Sequence, residues 1–207
     1  MSQEIEVRSV EVGPLQANCY LLKCDQEGSA AIIDPGDEAE RLVHAIKQAG
    51  LKPEAILLTH GHIDHANAAG ALKDSFGCPI YIHPADRDIV ERGESPVLWG
   101  LVRNHCTVDK EVADTDEITI GETKIGVLHA PGHTGGSVCY QVGSLLFTGD
   151  VLFKGSIGRT DLPGGSDAEM MQTLKTRISV LDGETLVYPG HGPETTIEHE
   201  KKFNPFL

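Results

Sequence analysis

Four short apolar runs in this chain each stop at a glycine-bearing turn that carries a metal-capable side chain. Ala55–Leu58 runs into Thr59-His60-Gly61-His62-Ile63-Asp64-His65, and Ile125–Leu128 leads to Pro131-Gly132-His133. Leu145–Phe147 leads to Thr148-Gly149-Asp150, and Leu186–Tyr188 to Pro189-Gly190-His191. Apolar runs this short, bounded by turn residues, read as buried strands. In open α/β sheets ligands bind beyond the carboxyl ends of the strands. A fold that gathers these four ends would therefore build one cleft from residues spread between His60 and His191.

The densest of the four segments has its own geometry. A spacing of two in an extended loop puts His60 and His62 on the same side, whereas Asp64 and His65 fall where a helix begins and face a second point. With His133, His191 and Asp150 the set exceeds the three protein ligands and one water of a tetrahedral catalytic zinc. It suits two ions: His60, His62 and His133 for the first, Asp64, His65 and His191 for the second, and Asp150 bridging both. Nitrogen and carboxylate donors without thiolate suit zinc, iron or manganese. Two divalent ions are expected, with zinc as the first choice.

Around these segments, strand signals cover Ile5–Val12, Ala17–Cys24, Ala30–Asp34, Glu54–Thr59 and Pro79–His83. Hairpins follow at Glu117–Ile120, Thr123–Leu128, Ser137–Val142 and Leu145–Thr148, then a strand at Thr185–Tyr188. A helix capped by Asp37, with Leu42, Ile46 and Ala49 on one stripe, ends at Gly50. Further helices are expected at Asp64–Phe76, Ala85–Arg92, Asp167–Leu181 and the C-terminus. Gly93–Val112 gives no clear pattern. Strands and helices in both halves predict an α/β protein, one domain over 1–207, with helices packed outside two sheets.

With 31 acidic and 17 basic side chains the formal charge is −14. A phosphate backbone would be repelled, so nucleic acid is excluded as a partner. No stretch approaches the roughly 20 apolar residues of a membrane span, and the N-terminus has no signal-peptide pattern. A cytoplasmic protein is expected, and a homo-oligomer is compatible with the composition. Cys19, Cys24, Cys78, Cys106 and Cys139 lack a C-x-x-C spacing and read as reduced, mostly buried thiols. His44, His83, His105, His129 and His199 read as structural or surface residues, His129 lying one turn before His133 where it can also line the cleft, and Leu98 and Trp99 read as core.

The motifs THGHIDH, PGHT, TGD and PGHGP, in this order, resemble the metallo-β-lactamase superfamily across essentially the whole chain. That resemblance implies an αββα sandwich, two mixed sheets with helices on the outer faces, and a dinuclear site at one edge holding the seven residues as assigned above. Asp150–Asp161 (DVLFKGSIGRTD) and Asn204-Pro205-Phe206-Leu207 look like small bacterial proteins of the glyoxalase II type. This implies hydrolysis of a 2-hydroxyacylglutathione, such as lactoylglutathione, to thiol and 2-hydroxy acid by a hydroxide between two metals. Asp64 and Asp150 would steer the nucleophile or its proton, and Arg159, with Lys154, would grip a substrate carboxylate.

Two departures stand out. Only 207 − 191 = 16 residues follow His191, without the helical domain that carries glutathione contacts in the larger glyoxalase II enzymes, and Gly192-Pro193-Glu194 lacks their tyrosine. Gly158-Arg159-Thr160-Asp161 is also similar to the persulfide dioxygenases of the superfamily, in which His60, His133 and Asp150 would hold a single iron. β-Lactamases are expected to be the least similar members, since those of their best-known class are secreted and place a cysteine at the position of Asp150.

Overall fold

A computed structural model describes residues 5–92, 104 and 106–207. Leu98, Trp99, His105 and most of the Gly93–Val112 stretch lie outside the described residues.

The first sheet runs β1 (Glu6–Val12), β2 (Ala17–Lys23), β3 (Ser29–Ile33), β4 (Lys52–Leu57), β5 (Ile80–Ile82) and β6 (Lys110–Glu111), in that order. Its first three strands are antiparallel and its last four parallel. The second sheet has the order β12 (Thr195–Thr196), β11 (Leu186–Pro189), β10 (Leu145–Gly149), β9 (Val138–Val142), β8 (Thr123–His129) and β7 (Glu117–Ile120). Only β10 and β11 pair in parallel there. Both sheets are thus mixed.

The period of two in each strand sorts its side chains into layers. Cys19, Leu21, Ile32 and Ile56 pack beneath α1 (Ala39–Gln48) and α3 (Ala69–Phe76), together with Leu42, Ile46 and Leu72. Their sequence neighbours Tyr20, Leu22, Ile33 and Leu57 turn the other way and meet Ile125, Val127, Tyr140 and Phe147 of the second sheet. On its far side, Cys139, Leu146 and Val187 pack under Met170 of α5 (Asp167–Thr173) and Ile197 of α6 (Ile197–Phe203). Three apolar interfaces separate four layers, helix, sheet, sheet, helix, which is the expected αββα sandwich. Each fully buried Leu or Ile contributes about 1.5–3 kcal/mol to holding them together. Among the described residues no helix is long and apolar enough to cross a membrane.

Several boundaries differ from expectation for local reasons. The helix expected over Asp64–Phe76 is two, α2 (Ile63–Ala66) and α3, because the Ala68 N–H donates to the Pro35 carbonyl (2.9 Å) instead of continuing the helical ladder. α1 starts after Glu38 rather than at an Asp37 cap. Glu38 holds left-handed backbone (φ 53°), and its carboxylate accepts from Gly13 N–H and from Arg41 instead of from the helix. α5 widens at Leu174–Ile178, where the Ser179 N–H reaches back five residues to the Leu174 carbonyl. The helix expected over Ala85–Arg92 splits into a tight turn at Pro84–Asp86 and α4 (Arg87–Arg92). The short strands β6 and β12 escape a pattern search because two residues carry no period.

Three links then bring strand ends from the two sheets together. Val138 N–H donates to the Thr59 carbonyl (2.8 Å), and Asn18 N–H to the Gly190 carbonyl (2.8 Å). Ala17 bridges to His191. The ends of β2, β4, β8, β10 and β11 consequently meet along one edge.

Candidate metal centre

Where β4 ends, the chain is anchored before it delivers its first histidine. Thr59 donates its N–H to Asp34 Oδ1 (2.7 Å) and its hydroxyl to Asp34 Oδ2 (2.6 Å). His60 follows, fully buried, with His62 two residues on. His133 arrives from the end of β8 through Gly132, whose φ of 143° and close approach to the backbone of Met170 leave no room for a side chain. The ring centroids of His60, His62 and His133 are 4.6–4.8 Å apart and their planes meet at 82–88°. His62 Nδ1 and His133 Nε2 are 2.8 Å apart. On the other side of its ring, His133 Nδ1 pairs with the Arg159 carbonyl at 2.7 Å; as donor there, it leaves Nε2 a bare lone pair.

The second group forms beside the first. His65 Nε2 faces His191 Nε2 and Asp150 Oδ1, both at 3.3 Å, and Asp64 Oδ2 at 3.6 Å. His191 Nε2 is 3.3 Å from Asp64 Oδ2, and its Nδ1 is 3.1 Å from the Leu15 carbonyl. Asp150 stands between the groups: its Oδ1 is near His65 and His191 (3.3 and 3.7 Å), and its Oδ2 is 3.5 Å from His133 Nε2. Gly190 makes this possible, since a Cβ there would overlap Asp150 Oδ1 and sit 2.7 Å from His65 Cε1.

Electrostatics divide the two groups. Burial, with the neighbouring His65 and His133, holds His60 well below the usual imidazole value, and burial with His133 lowers His62 to about 4. Both are neutral at physiological pH, the form that binds metal. Burial would also lower His65, but Asp150 and Asp64 override it and hold the ring well above 6.5; for His191, Asp64 and Asp150 outweigh burial and raise the ring from 6.5. Burial alone would raise Asp64 and Asp150; their histidine neighbours, His65 foremost, keep both carboxylates ionised.

The donor set fits a metal centre. His60 Nε2, His62 Nε2 and Asp150 Oδ1 are buried with no hydrogen-bond partner among the described residues, an arrangement that costs stability unless something compensates it. Ligand atoms of His60, His62 and His133 all lie within 4.8 Å of one another, as do those of Asp64, His65 and His191. All seven expected residues are thus brought together, and Asp34, His60 and His65 form a third such group that spans the two.

The expected substrate contacts fare differently. The Arg159 carbonyl reaches the site, but its guanidinium turns to Asp161, making Nε to Oδ1 (2.7 Å) and an NH2 group to Oδ2 (2.8 Å). Lys154 is exposed on the loop after Asp150, next to Phe153, whose ring lies 5.9 Å from that of His191. His83 and His129 stack on each other at 4.3 Å, with His129 Nε2 3.0 Å from the Gly135 carbonyl.

A residue beside the cluster escapes the sequence patterns. Asp34, buried in left-handed backbone (φ 50°), also places Oδ2 3.0 Å from His65 Nδ1. With its oxygens engaged by Thr59 and His65, Asp34 fixes the His65 ring through Nδ1 and leaves Nε2 facing the cluster. The available signal was its place at a strand end, like the other site residues.

The sequence profile of the metallo-beta-lactamase superfamily matches residues 12–191. The chain is 38% identical to hydroxyacylglutathione hydrolase GloC of Haemophilus influenzae, over 98% of each chain. The crystal structure of BLEG-1 B3 metallo-beta-lactamase superposes with a TM-score of 0.91 at 39% identity, covering 98% of this chain and 99% of that one. That of TTHA1623 in a di-iron-bound form gives 0.88 at 41%, covering 97% and 100%. The match to BLEG-1 corrects the expectation that β-lactamases are the least similar relatives; an argument from their best-known class does not extend to all of them.

Proposed function

The chain belongs to the metallo-beta-lactamase superfamily, and from that premise we propose that it is a thioester hydrolase of glyoxalase II type. In this reading it cleaves a 2-hydroxyacylglutathione, such as lactoylglutathione, to thiol and 2-hydroxy acid, and works in the cytoplasm on a small-molecule substrate. The observation that carries the reading is the position of Asp150, with one oxygen toward His133 and the other toward His65 and His191. A centre for one ion would need neither the second group nor a carboxylate shared between two.

Two divalent ions held by these residues, zinc or iron, would supply a water of lowered pKa and a Lewis acid for the thioester carbonyl. The chain's own groups do the rest. Asp64 and Asp150, kept ionised, would balance the charge of the ions and accept a hydrogen bond from the attacking water, steering it. Asp34, Arg159 and Leu15 hold the rings of His65, His133 and His191 through one nitrogen each, which fixes where the other nitrogen points. Lys154 and Arg159 supply positive charge beside the site for the carboxylates of a glutathione-like carrier. The overall balance is one water consumed, the C–S bond broken, and the sulfur leaving with a proton.

The test is thiol release from lactoylglutathione by wild type and by Asp150→Ala. Turnover by wild type with loss of both bound metal and most activity in the variant supports the reading. No thiol release from wild type, with ring opening of a chromogenic cephalosporin or oxygen uptake with glutathione persulfide, overturns it.

A further inference from the structure

Asp86 closes the turn at Pro84–Asp86 and is 1% exposed. Its carboxylate faces three donors. Oδ2 accepts from Gly61 N–H (2.8 Å) and from the Thr134 hydroxyl (2.7 Å), and Oδ1 accepts from Gly136 N–H (2.9 Å). Gly61 lies between His60 and His62, and Thr134 directly follows His133. One side chain thus holds the two loops that form the three-histidine group, from a position in neither.

The surrounding chain is shaped for this contact. A Cβ on Gly61 would come 2.8 Å from Ile89 Cβ and 3.0 Å from the Asp86 carbonyl, and one on Gly136 would come 2.8 Å from Asp86 Cβ. A carboxylate this buried is costly unless fully hydrogen-bonded. Burial does push the Asp86 carboxyl up, against the three donors.

We infer that Asp86 is a positioning residue that sets the geometry of the His60, His62 and His133 group by locking its two loops together. The inference takes its two-metal consequence from the reading above. An amide cannot replace the carboxylate, because in either flip the asparagine NH2 would face a backbone N–H, of Gly61 or of Gly136. The Asp64, His65 and His191 group is anchored separately, by Asp34 and Leu15, so loss of the clamp reaches one group and spares the other.

The experiment is calorimetric titration of the metal-free full-length protein with Zn2+, comparing wild type, Asp86→Asn and Thr134→Val, with His62→Ala and His191→Ala as references for the two groups. Asp86→Asn is expected to weaken the equivalent lost in His62→Ala by about 10- to 100-fold and leave the other unchanged. Thr134→Val, which removes one of the three bonds, is expected to weaken the same equivalent by about three- to tenfold, and decides the question if Asp86→Asn does not fold. Unchanged affinities in both variants, or equal weakening of both equivalents, would overturn the clamp. If wild type itself takes up one equivalent, the two-metal reading falls, and the clamp is judged on that ion: weaker binding in the variants supports it, unchanged binding overturns it.

Discussion

Asp34 Oδ2 lies 3.0 Å from His65 Nδ1, while the opposite nitrogen of that ring faces Asp150 and His191, each at 3.3 Å. The same carboxylate holds Thr59, the residue before His60. One buried side chain therefore ties His65 of one group, and the residue that precedes His60 of the other, to the end of β3.

Replacing Asp34 with alanine should release both. The Thr59 N–H and hydroxyl would lose their acceptor, a loss of about 1–3 kcal/mol for each buried group left unpaired. Free of its partner, the His65 ring should bind metal about 10- to 100-fold more weakly. Thermal melting of the metal-free protein and metal content after dialysis check the two effects separately. An unchanged metal content in Asp34→Ala would show that the contact does not orient the ligand.

The pH dependence of metal uptake should differ between the groups. In the metal-free protein His65 and His191 are held above 6.5 by their carboxylate neighbours, so metal must displace protons from them. Binding at Asp64, His65 and His191 should then release protons and strengthen as pH rises between about 6 and 8. His60 and His62, with values well below 6.5 and about 4, have no proton to lose in that window. The same shifts act on folding. His65 stabilises the metal-free fold below its unfolded value of 6.5, and that contribution fades as pH rises through its higher folded value. Calorimetry in buffers of different ionisation enthalpy reads the proton count; identical pH profiles for both equivalents would contradict the division.

Arg159 is expected to bind a substrate carboxylate, yet its guanidinium is already paired with Asp161. The pair is exposed and weak by its setting, so a substrate carboxylate can compete for it. Asp161→Asn should lower KM for lactoylglutathione by up to about fivefold with little change in kcat. A raised KM would mean that Asp161 helps to present Arg159 rather than compete for it.

Gly190→Ala tests the bridging position directly. The added methyl would overlap Asp150 Oδ1 and come within 2.9 Å of the Gly149 carbonyl carbon, forcing the carboxylate away from one group. A displacement of about 1 Å is enough to reduce kcat by about 100-fold. Near-wild-type turnover, in a variant shown to be folded by circular dichroism, would remove Asp150 from between the two groups.

How far the sequence reads into this site follows from where each signal lies. The seven residues gathered at this edge are legible because each lies within a few positions of the end of an apolar run and of a glycine, so local pattern and strand direction suffice. The four layers are legible for the same reason: Cys19 to Leu22 alternates between two apolar interiors. Asp34 and Asp86 are not legible, because their partners are distant in sequence. Thr59 is 25 residues from Asp34, and Thr134 is 48 from Asp86. Read locally, Asp34 is the turn residue of Ile33-Asp34-Pro35-Gly36 and Asp86 one charge in a polar turn. The break between α2 and α3 is hidden likewise, since its cause is a hydrogen bond from Ala68 to Pro35.

Whether the protein is a two-metal thioester hydrolase is decided by elemental analysis of the purified protein, with the same sample assayed anaerobically for thiol release from lactoylglutathione. About two equivalents of metal per chain with hydrolysis is the predicted result. One equivalent of iron, no hydrolysis, and oxygen uptake with glutathione persulfide would contradict it.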